Sequence, residues 1–186
     1  MSQTQMVTLV VAVIALAGIV IFYLRTQRSK RLRERFGPEY NRVLETSGNA
    51  ARGEARLAQL ERRVEKFQIK PLEPRARERF IGSWRAMQAK FVDDPNQVVG
   101  EADQLVSEVL AARGYPVADF EQQAADLSVN YPLVIEHYRA GHDIAVRHRQ
   151  GKASTEELRQ ALIHYRKLFD ELVGEGERAQ MRAVGR

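Results

Sequence analysis

Apolar and polar positions follow two patterns along this chain, one unbroken and one periodic. The unbroken run is Val7 to Leu24, VTLVVAVIALAGIVIFYL, which holds no charge and no Asn, Gln, His or Pro. Its 18 residues span roughly 27 Å as a helix, close to a hydrocarbon core of about 30 Å. The run reads as one transmembrane helix over 7–24. A short polar N-terminus, 1–6, precedes it and a basic juxtamembrane segment, 25–36, follows.

From Gly37 onward the apolar positions recur at helical spacing. Pro38 suits a first helical position. Val43, Thr46, Ala50, Gly53, Leu57, Leu60, Val64 and Phe67 then step by alternating threes and fours, the spacing of a coiled-coil seam. Ser47-Gly48-Asn49 and Gly53 are poor helix formers. The segment 37–70 therefore reads either as one long amphipathic helix with a weak centre or as two, near 39–47 and 54–68. Pro71 and Pro74 end it.

Phe80, Trp84, Met87 and Phe91, with Ile81 beside them, mark the next helix, about 75–91, and its most aromatic face. That face reads as core, with a ligand or partner groove as the alternative. Asp94-Pro95 starts another helix, with Asp94 as cap; its stripe is Val98, Val99, Ala102, Leu105, Val106, Val109 and Leu110. Gly114 lies past its end. Asp119 with Gln122 predicts a capped short helix to about Leu127. Val134, Ile135, Tyr138, His142 and Ala145 share a face through about Arg149. Ser154-x-x-Glu157 is a capping box for the last strong helix, which carries Leu158, Ala161, Leu162, Tyr165, Leu168, Phe169 and Leu172 and ends at Gly174. Residues 175–186 read as a frayed tail. No strand pattern competes. The fold class is thus all-α: one N-terminal transmembrane helix, then an irregular bundle of about five or six helices, with a helical domain over 71–174.

Charge fixes an orientation. The net charge is +5, and residues 25–36 supply it alone, with six bases (Arg25, Arg28, Lys30, Arg31, Arg33, Arg35) against Glu34. Residues 37–186 balance at 23 bases and 23 acids. The first six residues carry no charged side chain, so the positive-inside bias places the N-terminus outside and residues 25–186 in the cytoplasm of a single-pass cell-membrane protein. A cleaved secretory leader needs a basic start and a shorter apolar core. Ala15-Leu16-Ala17 has the small-x-small form, but seven apolar positions follow it. The six bases are candidate contacts for anionic lipid, at about 1 kcal/mol each. A neutral soluble part argues against nucleic acid as a partner. Within it, 37–92 is net +5 and 93–186 net −5, halves that would attract within a chain or between copies.

Candidate chemistry is sparse. There is no cysteine, which removes disulfides, thiolates and Cys-bound zinc. The histidines are His137, His142, His148 and His164. Neither 137/142 nor 142/148 has the i, i+4 spacing of a helical metal pair, while His164 meets one of them only if the neighbouring helix brings it there. Asp93-Asp94 reads as a cap, not a cation loop. Ser128, Ser154 and Thr155 read as helix-end residues. No metal ligand set, cofactor motif or catalytic constellation stands out.

The stretches RLRERFGPEY (31–40), SWRAMQAKFVDDP (83–95), ARGYPVADFEQQAADLSVNYP (112–132) and ELRQALIHYRKLFDELV (157–173) resemble a family of small, uncharacterised bacterial proteins. Its members have one N-terminal membrane helix and an all-helical soluble domain. Family members are often labelled hypothetical or secreted; the charge asymmetry disagrees with the second label. The family's middle stretch is usually more charged than SGNAARGEA (47–55) here. The resemblance implies no catalytic residue. The expectation is a membrane-tethered cytoplasmic interaction or scaffold module without catalysis. Its partners would be the bilayer and a second copy or another protein, with Val43, Ala50, Leu57, Leu60, Val64 and Phe67 as the self-association seam. The alternative is a small-molecule or lipid-binding helical domain at the membrane surface.

Overall fold

A computed structural model describes the backbone of residues 3–184 and the side chains of 12–174. The described residues form eight helices and no strand: α1 (Gln3–Phe36), α2 (Pro38–Ser47), α3 (Ala50–Val64), α4 (Pro74–Lys90), α5 (Pro95–Ala112), α6 (Phe120–Ser128), α7 (Ile135–Arg149) and α8 (Thr155–Val184). Seven helices follow α1, against the five or six that the sequence predicts. The chain divides into two compact units, residues 1–58 and 59–186.

In the first unit the apolar run and the basic segment are one helix. Nothing between Leu24 and Arg25 interrupts the backbone ladder, and α1 stops only at Gly37, where Pro38 opens α2. Leu32 and Phe36 on its last turns are buried, as are Tyr40 and Val43 of α2. The amphipathic segment is broken, not continuous. Gly48 adopts φ 77°, a left-handed C-cap that glycine takes without strain. Asn49 then caps α3 by accepting from the Arg52 N–H at 2.8 Å. The polar N-terminus read at 1–6 falls partly outside the described residues, which begin at Gln3.

The second unit starts inside α3, ahead of the 71–174 domain read from the sequence. Two contacts tie this early stretch in: Arg63 Nε donates to Asp126 at 2.9 Å, and Phe67 meets Tyr115 edge to face. The connection to α4 is pinned where the Lys70 N–H donates to the Arg113 carbonyl. At the centre lies α5. Its predicted stripe from Val98 to Leu110 is buried throughout and packs with Phe80, Trp84 and Met87 of α4, Ile135 and Tyr138 of α7, and Leu158 to Val173 of α8. Pro38, Pro95 and three capping residues set helix starts as predicted, whereas α7 begins at Ile135, three residues after Pro132. Asp94 accepts from Gln97 N–H, Asp119 from Gln122 N–H, and Ser154 and Glu157 exchange bonds as a capping box. Arg147 joins that box, and the bonds from Ser154 and Arg147 hold the Glu157 carboxyl down at about 2.

One boundary differs. Gly174 does not end α8, whose backbone continues helical to Val184. A glycine costs a helix only about 1 kcal/mol, and the helix formers in GERAQMRAV beyond it offset that. Residues 185–186, and the side chains of the tail expected to fray from 175, lie outside the described residues.

Candidate functional site

Four features could carry function: the bare surface of α1, the seam, the face of α4, and the polar groups between α5 and α8.

On α1, nine large apolar or aromatic side chains from Val13 to Leu24 are 48–74% exposed. Within Ala12–Phe36, the part of α1 long and apolar enough to cross a membrane, the 18-residue apolar window has no residue buried inside the chain. Leaving such side chains in water costs about 1.5–3 kcal/mol each. The basic collar beyond them splits in two. Arg25, Arg28 and Lys30 are exposed. Arg33 instead lies over the Tyr40 ring at 5.3 Å, and Arg31 and Arg35 also have partners within the chain. Ser29 and the Tyr40 hydroxyl both donate to Glu54, at 2.6 and 2.8 Å. Burial, reinforced by the Glu54 carboxylate, raises the Tyr40 pKa. The last turns of the collar are thus a structural part of the first unit.

The seam is not an open stripe. In the first unit Val43 and Leu57 are buried and Ala50 is exposed; in the second, Leu60 and Val64 are buried and Phe67 is half-buried. The break at Gly48-Asn49 divides the stripe between two helices. A second copy reaches the buried members only if those helices open.

The aromatic face of α4 is core. Phe80, Trp84 and Met87 are buried, with Ile81 and Phe91 half-buried against them. Trp84 stacks on Phe169 of α8 with ring centroids 4.7 Å apart. Its indole N–H is buried without an acceptor among the described residues, an arrangement that costs about 1–3 kcal/mol. Two clefts flank this face. One, of about 420 Å³, runs between α4 and α5 over Met87 and Leu105, with Lys90 and Glu101 paired at its rim. The other, of about 340 Å³, lies between α4 and α8 and is lined by Trp84, Phe169 and the guanidinium-bearing Arg77, Arg85 and Arg166.

The histidines meet partners that their spacing hides. His137 of α7 and His164 of α8 bring their Nδ1 atoms to 3.0 Å, one donating to the other. Gly141 permits this approach. A Cβ there would sit 3.3 Å from the Tyr165 ring and 3.4 Å from the Ala161 carbonyl. Burial, then the neighbouring His137, lowers the His164 pKa. His142 stacks on Phe120 at 3.6 Å and places Nδ1 3.6 Å from Asp103 of α5. Asp103 also accepts from Tyr165 at 2.9 Å, and Tyr138 donates to Gln123 at 2.9 Å. Burial, with the Asp103 charge second, raises both tyrosine pKa values. His148 Nε2 lies 3.0 Å from the Asn96 carbonyl, joining α7 to the start of α5. No group of three or more His, Cys, Asp or Glu among the described residues is placed to hold a metal. These polar groups join α5, α6, α7 and α8 by hydrogen bonds.

The sequence pattern did not single out Asp103 or Gln123, and it placed Tyr138 only on the shared face of its helix. One signal existed for Asp103, an acid flanked by Val99, Ala102 and Val106 on the edge of a buried stripe. Nothing in the sequence pairs His137 with His164, because that depends on the register of two helices. In comparisons with family models, curated proteins and solved structures, nothing matches this chain.

Proposed function

We propose that this chain is a membrane-tethered helical module. It crosses the cell membrane once with its N-terminus outside and holds its two helical units in the cytoplasm. There it serves as an interaction or scaffold module, for a protein partner or a second copy, without catalytic chemistry of its own. The observation that carries the reading is the bare apolar surface of α1 next to exposed Arg25, Arg28 and Lys30. A hydrocarbon phase covers the first and anionic headgroups or cytosolic water suit the second.

A leader peptide has similar composition, and two features favour an anchor. Ala15-Leu16-Ala17 lies inside an uninterrupted helix, and the same helix ends in residues buried within the first unit, Leu32 and Phe36. Removing residues up to Ala17 would leave Ile19 to Leu24 still uncovered. As for the partner surface, the buried members of the seam make self-association through Val43 to Phe67 conditional on opening. Two clefts of the second unit remain open to a partner.

A reporter fused at the C-terminus tests the placement. An enzyme active only in the cytoplasm, fused after Arg186, is expected to report activity and to sediment with membranes. An enzyme active only after export, fused at the same point, is expected to be silent. The reverse pair of results would overturn the reading.

A further inference from the structure

The cleft between α4 and α8 has the chemistry of a binding site. Both helices lean on α5, and they meet each other at the Trp84–Phe169 stack and where Arg77 donates to the Val173 carbonyl at 3.1 Å. Beside these contacts a space of about 340 Å³ stays open, the small end of the range for ligand pockets. Its floor is apolar and aromatic: Ile81, Trp84, Phe169 and Val173. Its rim is cationic, with Arg77, Arg85 and Arg166 against one acid, Asp170, which pairs with Arg166 at 3.3 Å. Arg85 is exposed and faces no counter-ion among the described residues. Beside the Arg166–Asp170 pair, the rim therefore offers the Arg85 guanidinium next to an apolar floor. A planar guanidinium presents its donors in a fork that matches carboxylate and phosphate oxygens.

We propose that this cleft binds a small ligand carrying a phosphate or carboxylate head on an apolar body. The head lies between Arg85 and Arg166, where it competes with Asp170 for the second guanidinium. The body lies against Trp84 and Phe169. The site is independent of the membrane reading, because every residue in it belongs to the second unit. The head has two sources, a free metabolite-sized anion or a lipid headgroup, and the chemistry of recognition is shared.

Trp84 is the only tryptophan, so its emission reports from the cleft wall alone. The test uses the full chain in phosphatidylcholine nanodiscs, excited at the red edge of tryptophan absorption and titrated with phenyl phosphate. The emission change is expected to saturate. Inorganic phosphate, which lacks the body, and benzyl alcohol, which lacks the head, are each expected to bind at least about tenfold more weakly. The double substitution Arg85→Ala with Arg166→Ala is expected to cost about tenfold or more in affinity for phenyl phosphate, with the melting transition unchanged because both side chains are exposed. Phosphatidylglycerol in the disc separates the sources. A Trp84 change on its addition, lost in the double variant, identifies a lipid headgroup, whereas a change with phenyl phosphate alone identifies a soluble ligand. No saturable change with either, equal binding of benzyl alcohol, or undiminished binding by the double variant would overturn the proposal.

Discussion

Two helices of this chain are strongly apolar, and they meet opposite fates. α5 presents Val98, Val99, Ala102, Val106, Val109 and Leu110, all at 0% exposure, and other helices of its unit close over them. α1 presents Val13, Ile14, Leu16, Ile19, Val20 and Phe22, and every one of these stands at 48% exposure or more. The difference lies in pattern. α5 interleaves its stripe with Asn96, Gln97, Glu101, Asp103, Gln104 and Glu108, so one side is built for neighbours and the other for water. α1 is apolar around its whole circumference from Val7 to Leu24, which no single-sided packing satisfies. An apolar helix with a polar face finds its cover within the chain; the apolar part of α1 finds none among the described residues.

The largest contrast comes from adding one charge to each helix. Val106→Asp buries an unpaired carboxylate, and several kcal/mol of penalty against a total stability of about 5–15 kcal/mol should unfold the second unit. Circular dichroism should show its cooperative melt abolished. Val20→Asp should leave that melt intact and act on membrane insertion instead, at about 2.5–3.5 kcal/mol near the helix centre, seen as a shift from the membrane to the soluble fraction. A lost melt in Val20→Asp would break the contrast.

Truncation is the next step down. Leu110→Ala removes a fully buried side chain and should cost about 2–5 kcal/mol in the second unit's stability. Leu16→Ala, at a position 64% exposed, should cost that unit nothing measurable by denaturant titration.

The smallest effect concerns pH. The His164 pKa is lowered in the folded chain, so the unfolded chain takes up the proton first as pH falls. Stability is full above the ordinary histidine value of about 6.5 and declines as pH drops below it, to the folded pKa. A mild fall in melting temperature from pH 7 toward pH 5, reduced in His164→Gln, is the expected signature. Membrane retention should stay flat over that range, because residues 7–24 carry no group that titrates there.

The helices were largely legible because their punctuation is local. Pro38 and Pro95 start helices at the positions their fixed φ suits, and Asp94, Asp119 and Ser154 cap as their spacing indicates, while Pro74, read as the end of the segment before it, is the first residue of α4. Gly48 left two readings open, and its left-handed backbone decides for two helices. Gly174 misled, since a glycine stops a helix only where the chain also turns away. The functional surfaces were less legible. The His137–His164 contact, the Asp103–Tyr165 bond and the arginine-rimmed cleft each join residues of different helices. Their meeting depends on how those helices rotate and slide, and on Gly141 letting α7 and α8 approach. Periodicity identifies a helix's buried side; it does not say which residue faces which across the gap.

The chain's lack of cysteine makes one measurement direct. Single cysteines introduced as Ser2→Cys and Lys152→Cys, treated in intact cells with a membrane-impermeant maleimide, report the two sides of α1 separately. Labelling at position 2 and protection at position 152 until the membrane is broken are the expected results. Labelling at 152 in intact cells, or protein recovered outside them without its apolar N-terminus, would contradict the proposed placement.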